Sequence, residues 1–417
     1  MKAEIITIGD ELLIGQVIDT NSAFIAKELN SIGIAIAQIT SISDQASHIR
    51  KALTEAASRA EIIIMTGGLG PTKDDITKKT LAERFGLLLV EDPLILENLQ
   101  QFIQSRGFVL NDLNRQQALV PQNCRAFVNQ LGTAPGMWIQ QDTKIFISLP
   151  GVPYEMMHLM QDSIIPALKQ ELGDQNHILH KTIVIHSLPE SLLAEKIADW
   201  EDNLPAGVKL AYLPAPGRVR LRLSSSGSDL QSLQQIAGIE VEKLYSIIPK
   251  NILYEGDIPI EKALMDRLIA SGMTLAVAES CTGGSLASLL TSQPGSSAFF
   301  PGGIIAYSND VKINLLHVNR QVLEHVGAVS REVAEQMAAG VRKQLNASIG
   351  IGITGIAGPD GGTPEKPVGT VWIAWNILGT SHASMFRFHL NRQQNIQRAV
   401  ALAVVNLINL LNQQTIK

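Results

Sequence analysis

Cysteine is scarce in this sequence: Cys124 and Cys281 are the only two in 417 residues. Two thiols cannot build a disulfide framework or a cysteine-based zinc cluster, so the sequence excludes both. Such low cysteine usage suits a reducing compartment, and we expect the protein to be cytoplasmic.

The sequence also lacks a dense basic run and a long apolar run. The formal net charge is -5 at pH 7, so we expect no direct nucleic-acid partner. The apolar stretch 399–411 contains Asn406 and Asn409 and is too short to cross a bilayer, so we expect no membrane partner. Glu4 and Asp10 lie where a secretory leader would be apolar, and we therefore expect no signal peptide.

The remaining composition is that of a folded, multidomain chain. Hydrophobic residues make up 45% of the sequence and charged residues 18%, enough for the cores of two or three domains. Strand-like and helix-like segments alternate in the first and last parts, which predicts two α/β domains with parallel or mixed sheets. Between them, two helices and three strands predict a small α+β module. We expect the domains to span 1–172, 173–255 and 256–417.

In the first domain, polar clusters follow three predicted strands: Gly9-Asp10-Glu11, the segment TGGLGPTKDD at 66–75, and Pro150-Gly151. The carboxyl ends of parallel strands meet at one edge of a sheet, so we expect these clusters to lie together. Glycines let backbone N–H groups approach a phosphate, and paired aspartates can hold a divalent cation against it.

Helix capping is the alternative interpretation of these polar residues. Asp75 could cap a helix that begins near Ile76, and Asp10 and Glu11 could cap the next element. Thr20 or Asn21 could likewise cap the helix that follows them. At this stage both interpretations stay open.

In the last domain, Ser280 ends the apolar strand TLAVAES and precedes a glycine-rich turn that opens a helix. Free N–H groups from Cys281 to Gly284 could form an oxyanion hole or hold a phosphate, helped by the helix dipole. A serine nucleophile needs a base. Lys312, which follows the next predicted strand, could supply it if burial lowers the pKa of its amine. Tyr307 could relay the proton.

Each of these residues also has a structural interpretation. Ser280 could be a helix N-cap, Cys281 a small core residue and Lys312 a solvated surface charge. Cys281 is also a rival nucleophile, because a thiol at a helix N-terminus has a lowered pKa.

Two further segments could bind an anion. The glycine-rich loop 352–362 follows a strand, and we interpret it as a ligand-cradling loop in which Thr354 and Gly355 supply donors. In the middle module, Arg218, Arg220 and Arg222 share one face of a strand by the period of two. A solvated sheet face is the simpler interpretation of that row, so we interpret the module as a spacer.

These motifs give the chain a resemblance to the CinA family over essentially its full length. TGGLGPTKDDIT and LPGVPYEM resemble the first domain of that family, and AESCTGG, YSNDVK and GITGIAGPDGGTPEKPVGTVW resemble its last domain. The resemblance implies a molybdopterin-binding fold with metal-dependent ADP-ribose hydrolysis in the first domain, and a KH-like middle module. It implies that the last domain converts nicotinamide mononucleotide and water to nicotinate mononucleotide and ammonia.

The resemblance also implies roles for individual residues. In the last domain, the implied catalytic residues are Ser280, Lys312 and Tyr307. The implied substrate-binding residues there are Cys281, Thr282, Gly283, Gly284, Asn309, Thr354, Gly355, Arg392 and Arg398. In the first domain, the implied substrate-binding residues are Asn21, Gly67, Gly68, Gly70 and Thr72. A divalent metal (Mg²⁺, Mn²⁺ or Co²⁺) is implied at Asp10, Glu11, Asp74 and Asp75.

The resemblance implies no cofactor for the amidase domain, and it implies a homodimer. Two other functions stay open. The chain could be a non-catalytic, competence-related scaffold, or its first domain could bind a pterin.

Overall fold

The computed structural model describes residues 1–72, 75–173 and 176–415. The chain divides into two compact units: one comprises Met1–Leu179 and Ser225–Gln235, and the other comprises His180–Ser224 and the chain from Ile236 onward. Among the described helices, none combines the length and apolar character that crossing a bilayer requires.

The first part of the chain forms an α/β domain. Its strands are β1 (Lys2–Ile8), β2 (Ala35–Ile42), β3 (Ile62–Thr66), β4 (Leu89–Glu91), β5 (Leu119–Pro121), β6 (Arg125–Phe127), β7 (Gly136–Gln141) and β8 (Lys144–Leu149). Its helices are α1 (Asp10–Leu13), α2 (Asn21–Ser31), α3 (Ala46–Arg59), α4 (Thr77–Phe85), α5 (Pro93–Ser105), α6 (Asp112–Arg115), α7 (Pro153–Leu159) and α8 (Ile165–Leu172). A π-helical segment, Met160–Ile164, joins the last two helices.

The main sheet of this domain has the order β2-β1-β3-β8-β7-β6. The first four strands run parallel to one another, β7 runs antiparallel to β8, and β6 runs antiparallel to β7. All five residues of β3 are buried, because helices cover both faces of the sheet. Ile25 and Leu29 of α2 pack on one face, and Ile49 and Leu53 of α3 pack on the other.

The middle module contains β9 (His177–His186), α9 (Glu190–Asp202), β10 (Lys209–Ala215), β11 (Arg218–Gly227), α10 (Leu230–Ile247) and β12 (Ile252–Glu255). Its four strands form a sheet in the order β10-β11-β9-β12. Val219, Leu221 and Leu223 alternate with the three arginines along β11 and pack against the helices. Strand β12 was missing from the sequence prediction.

The last part of the chain forms a second α/β domain. Its strands are β13 (Leu275–Glu279), β14 (Gly302–Ile305), β15 (Ile349–Gly355), β16 (Thr370–Ile377) and β17 (Thr380–Arg387). Its helices are α11 (Ile260–Ala270), α12 (Ser285–Thr291), α13 (Asn309–Leu316), α14 (Arg320–Val326), α15 (Arg331–Gln344) and α16 (Arg392–Thr415).

The sheet of this domain has the order β14-β13-β15-β16-β17. The first three strands run parallel to one another, β16 runs antiparallel to β15, and β17 runs antiparallel to β16. The predicted fold class, two parallel or mixed α/β domains with a small α+β module between them, is confirmed. Strand β17 and helices α13 and α14 were not predicted from the sequence pattern.

Candidate functional site

The predicted edge of the last sheet exists. Strands β14, β13 and β15 are parallel neighbours and end at Ile305, Glu279 and Gly355. The residues at or just beyond these ends, Ser280 and Thr354 among them, therefore lie at one edge of the sheet.

Lys312 reaches this edge from α13 and contacts Ser280. Its Nζ lies 3.1 Å from Ser280 Oγ, and it donates hydrogen bonds to the backbone carbonyls of Ala306 (2.7 Å) and Tyr307 (3.1 Å). Helix α13 is fixed at its start by Ser308, whose hydroxyl accepts from the N–H of Val311 at 3.3 Å. The structure thus brings together the two residues on which the predicted chemistry depends.

The surroundings of Lys312 favour its uncharged form. The side chain is only 1% exposed, and within the described ranges no Asp or Glu lies close enough to pair with it. Burial therefore lowers the pKa of the amine. When the amine is neutral, its two N–H groups can donate to the two carbonyls, and the lone pair then faces the Ser280 hydroxyl. The interpretation of Lys312 as a solvated surface charge is wrong.

Glu279 occupies the N-terminus of α12. Its carboxylate is 1% exposed and accepts hydrogen bonds from the N–H groups of Gly284 (3.1 Å), Leu286 (3.0 Å) and Ala287 (2.8 Å). These donors and the positive end of the helix dipole are thereby satisfied inside the protein. The expectation that the N–H of Gly284 would be free for an oxyanion or a phosphate is wrong. So is the N-cap interpretation of Ser280, because Gly284 holds the N-cap position.

The turn between Ser280 and α12 depends on two glycines. Gly283 and Gly284 have φ values of 60° and 101°, a region that other residues rarely adopt. The N–H of Gly283 donates to the carbonyl of Ser280 at 3.1 Å, so it is not free either. Thr282 is different: it is 2% exposed, and its hydroxyl has no hydrogen-bond partner in the described part of the chain. The Thr282 hydroxyl was not one of the predicted donors, which were backbone N–H groups, and it is a further candidate donor to a bound ligand.

Cys281 is unsuited to be the nucleophile. It is 7% exposed and belongs to the hydrophobic core of the domain, and burial raises the pKa of its thiol to about 12. A thiol with this pKa is protonated at neutral pH and nucleophilic only to a negligible extent. The expected lowering by the helix N-terminus fails because Glu279 already neutralises that terminus. Between the two candidates, the structure favours Ser280.

Of the other residues predicted for this site, some are exposed to solvent and others are part of the strand end. The ring of Tyr307 is 64% exposed and its hydroxyl donates to no described residue, so only its carbonyl belongs to the arrangement around Lys312. Asn309 is exposed at the start of α13. The Thr354 hydroxyl donates to the carbonyl of Ala328 at 2.8 Å, and a Cβ on Gly355 would lie 2.7 Å from a backbone oxygen. Both have structural roles in holding this strand end.

The two predicted phosphate-binding arginines differ. Arg392 donates from Nη1 to the carbonyl of Gly358 at 2.7 Å, which places it beside the glycine-rich loop that follows β15. Arg398 is exposed on the same helix and forms no hydrogen bond or ion pair with any described residue. The structure therefore connects Arg392, but not Arg398, with the Ser280 edge.

A second candidate site lies in the first unit. Strands β1, β3 and β8 are parallel neighbours, and the segments after them line a cavity of about 470 Å³ with Gly67, Gly68 and Gly70 on its wall. Asn21 closes this edge: its Nδ2 donates to Thr66 Oγ1 (3.1 Å) and to the Gly151 carbonyl (2.8 Å). The predicted meeting of three strand ends is therefore present.

Several carboxylates share this cavity. Glu11, Asp44 and Asp75 line it, and burial together with the neighbouring carboxylates Glu11, Asp10 and Asp75 raises the pKa of Asp44. The N–H of Asp10 donates to Asp44 Oδ2 at 3.2 Å. Such a cluster of negative charge is costly without a compensating cation.

Asp75 is held by Thr72, whose N–H and hydroxyl donate to its Oδ2 at 2.9 and 2.5 Å. The interpretation of Asp75 as the cap of α4, and of Asp10 and Glu11 as caps of α1, is wrong. Helix α4 begins at Thr77 with Ile76 at its N-cap position, and Gly9 holds that position for α1.

Asp19, and not Thr20, supports the start of α2. Thr20 holds the N-cap position but makes no side-chain hydrogen bond there. Asp19 Oδ1 accepts from the N–H of Ser22 at 2.9 Å instead.

The predicted metal ligands are carboxylates, and carboxylate oxygens are suitable ligands for a divalent cation. Asp74 lies outside the described residues. Among the residues that the structure describes, no three His, Cys, Asp or Glu side chains converge closely enough to hold a metal by themselves. Mg²⁺, however, is commonly held by one or two carboxylates together with water and the phosphates of a substrate. The carboxylates of the cavity suit a cation that enters with a phosphate ligand.

Comparison with known proteins shows matches along the whole chain. Residues 257–411 match the family described as "CinA C-terminal domain", 180–252 the "Damage-inducible protein CinA KH domain" and 4–170 the "Probable molybdopterin binding domain". A CinA-like protein of Flavobacterium psychrophilum is 45% identical over 406 residues, and the alignment covers 97% of each chain. The chain belongs to the CinA family.

The chain is also similar to a second relative and to a solved structure. A CinA-like protein of Cytophaga hutchinsonii is 46% identical over 408 residues, again with 97% of each chain covered. The crystal structure of the competence damage-inducible protein A of Klebsiella pneumoniae is 35% identical in sequence to the segment it matches. It covers 37% of this chain and 95% of its own, with a TM-score of 0.36.

Two residues of this CinA chain were missing from the predicted sites. Asp44 follows β2, so the strand-end rule that led to Asp10 would also have led to it. Glu279 is the last residue of a buried strand, where the sequence alone gives no sign that its carboxylate turns toward the following helix.

Proposed function

We propose that the C-terminal domain is an amidohydrolase that converts nicotinamide mononucleotide and water to nicotinate mononucleotide and ammonia. The observation that carries the proposal is the contact between Lys312 Nζ and Ser280 Oγ at 3.1 Å, with the lysine buried and its pKa lowered. The substrate is suggested by the family resemblance. A Ser–Lys pair of this kind suits acyl transfer from an amide.

In the proposed mechanism, neutral Lys312 accepts the proton of Ser280 while Oγ attacks the carboxamide carbon. The Thr282 hydroxyl, buried without a partner, is the candidate donor to the developing oxyanion. As the C–N bond breaks, the Lys312 ammonium returns its proton to the leaving nitrogen, which departs as ammonia. A water molecule then attacks the carbonyl carbon of the Ser280 ester while Lys312 takes its proton. As the C–O bond to Ser280 breaks, Lys312 returns that proton to Oγ, which restores the serine hydroxyl and the neutral amine, and the acid product leaves as a carboxylate after losing its proton to water.

The proposal is tested by ammonia release from nicotinamide mononucleotide by the full-length protein. We expect the wild type to release ammonia and Ser280→Ala to lose about 10³-fold or more in kcat. Ser288→Ala is the matched control, because Ser288 is an exposed serine of α12. Mass spectrometry of quenched reactions should find a covalent adduct on the wild type and none on Ser280→Ala. A scaffold protein would release no ammonia, which would refute the proposal.

We further propose that the N-terminal domain is a metal-dependent ADP-ribose pyrophosphatase. Support comes from the cavity of about 470 Å³, whose glycines admit a diphosphate and whose carboxylates suit a divalent cation. One or two of the carboxylates of Glu11, Asp44 and Asp75 would hold the cation together with the diphosphate of the substrate, and the cation when bound supplies an activated water and screens the phosphate charge. Asn21 would keep the strand ends in position.

The test offers ADP-ribose to the protein with Mg²⁺, Mn²⁺ or Co²⁺ and measures the nucleoside monophosphate formed. Activity that requires a metal and falls in Asp75→Asn supports the proposal. Pterin fluorescence that copurifies with the protein, with no hydrolysis under any metal, would favour the pterin-binding alternative.

A further inference from the structure

The second unit contains a groove of about 690 Å³ between the middle module and the C-terminal α/β domain. The turn between β10 and β11 forms one wall, and α11, α12 and α16 form the others. Ile260, Leu289 and Val400 make most of its surface apolar, and Arg218 and Arg392 both line it. The groove therefore combines an apolar floor with two guanidinium groups.

The wall from the middle module is held firmly in place. Gly217, in the β10–β11 turn, lies so close to α16 that a Cβ would be 2.8 Å from Leu402 Cδ2. Asn412 of α16 donates from Nδ2 to the carbonyl of Leu253 in β12 at 3.1 Å. Because both ends of the module's sheet contact α16, the position of Arg218 is set by packing.

Arg218 is a cation without an anionic partner. Its Nε is buried and has no hydrogen-bond partner among the described residues, and none of their carboxylates forms an ion pair with it. The neighbouring arginine in the row, Arg220, does pair with a carboxylate, that of Asp257 at 3.1 Å. Glu261 also lines the groove and attracts Arg218 electrostatically, but it forms no ion pair with Arg218 and accepts a hydrogen bond from Gln293 at 3.3 Å. An unpaired, half-buried guanidinium favours an anionic ligand.

Arg392 connects the groove with the glycine-rich loop. Its Nη1 donates a hydrogen bond to the carbonyl of Gly358 at 2.7 Å, in the loop that follows β15. Ser285, at the start of α12, also lines the groove. The groove therefore extends from the middle module to the start of α12 and to Arg392, which contacts the loop after β15.

We infer that this groove binds the phosphate end of a mononucleotide substrate and that Arg218 of the KH module supplies one of the two guanidinium groups. The module then completes the substrate site of the neighbouring domain and is not merely a spacer. The inference rests on the proposed amidase function for the identity of the substrate. Two guanidinium groups can bind one phosphate by charge-assisted hydrogen bonds. The apolar floor of the groove suits the uncharged part of a nucleotide.

The test compares Arg218→Ala with the matched control Arg222→Ala in the full-length protein. Arg222 lies on the same strand and face but does not line the groove. For nicotinamide mononucleotide we expect Arg218→Ala to raise KM about 10-fold or more with kcat nearly unchanged, and Arg218→Lys to restore part of the loss. For nicotinamide riboside, which lacks the phosphate, neither variant should change KM.

Calorimetric titration with nicotinamide mononucleotide separates this inference from the amidase proposal. If the wild type binds the nucleotide, and Arg218→Ala binds it about 10-fold more weakly, the groove is confirmed even if no ammonia is released. Equal affinities and equal KM values in Arg218→Ala and the wild type would overturn the inference. So would a change of sedimentation coefficient in Arg218→Ala without a change in binding, because the groove would then be a contact surface between copies of the chain.

Discussion

Lys312 approaches Ser280 with its Nζ 3.1 Å from the serine Oγ, while two backbone carbonyls accept its other hydrogen bonds. Burial lowers the pKa of this amine from its usual value of 10.5. In the proposed mechanism the neutral amine is the base, so deprotonation of Lys312 should activate the protein and the rate of ammonia release should rise with pH.

We therefore expect kcat/KM to rise as pH increases and to level off at a pH below 10.5. Measurement of kcat/KM for nicotinamide mononucleotide between about pH 6 and 11 gives this profile directly. A rate that does not change with pH, or that rises only at the usual lysine pKa, would show that Lys312 is not the base.

Much of this site could be predicted from sequence, for a physical reason. Apolar runs locate the buried parallel strands, and the chain topology brings the ends of such strands to one edge, which places Ser280 and Lys312 in the same region. The direction of an individual side chain depends on packing that the sequence pattern does not contain. For this reason the Tyr307 ring was expected inside the site and lies outside, and Glu279 was not expected at α12 at all.

Cys281 should not react with alkylating reagents in the folded protein. Burial raises the pKa of its thiol to about 12, and it raises that of Cys124 to about 11. We expect iodoacetamide at about pH 8 to modify neither thiol rapidly and to leave ammonia release unchanged. Cys281→Ala should keep kcat within about threefold of the wild type. Rapid loss of activity on alkylation, prevented in Cys281→Ala, would instead identify the thiol as the nucleophile.

Replacement of Glu279 should destabilise the C-terminal domain. Glu279→Gln removes the charge that faces the α12 N-terminus and turns one acceptor into a donor opposite backbone N–H groups. We expect a loss of about 1–3 kcal/mol in the free energy of unfolding, measured by urea titration.

Glu332→Gln is the control for Glu279, because Glu332 is an exposed acid in the first turn of α15. Glu332→Gln should lower the free energy of unfolding by roughly 0.5 kcal/mol or less. If both variants lose the same amount, the Glu279 contacts contribute no more to stability than an exposed acid at a helix start.

Asp44→Asn should stabilise the protein without metal and weaken its response to metal. The pKa of Asp44 is raised in the folded protein. Above that pKa the ionised carboxylate destabilises the folded state, and this destabilisation disappears as the pH falls through the folded-state pKa. An uncharged Asn removes this cost and can still accept the N–H of Asp10.

We expect Asp44→Asn to have a higher Tm than the wild type in EDTA at neutral pH and a smaller increase in Tm on addition of Mn²⁺. Asp112→Asn, which changes an exposed carboxylate outside the cavity, should leave the Mn²⁺ effect intact. An unchanged Mn²⁺ effect in Asp44→Asn would place the cation elsewhere.

The first-domain cavity shows the same limits of sequence reasoning. Glycines and acids after β1 and β3 were found because they form compact motifs. Asp44 also follows a strand, β2, and the strand-end rule applies to it, but its polar segment has no glycine motif that marks it as a candidate. Asp19 was missed as the cap of α2 because any of three successive polar residues could have taken that role.

The most direct test of the central claim is a double-mutant cycle on ammonia release, with Ser280→Ala, Lys312→Met and the double variant. Since the lysine acts only through the serine, we predict that each single variant loses about 10³-fold or more in kcat/KM and that the double variant loses no more than either one. If the two losses multiply in the double variant, or if Lys312→Met keeps the wild-type rate, the two residues do not form a catalytic pair.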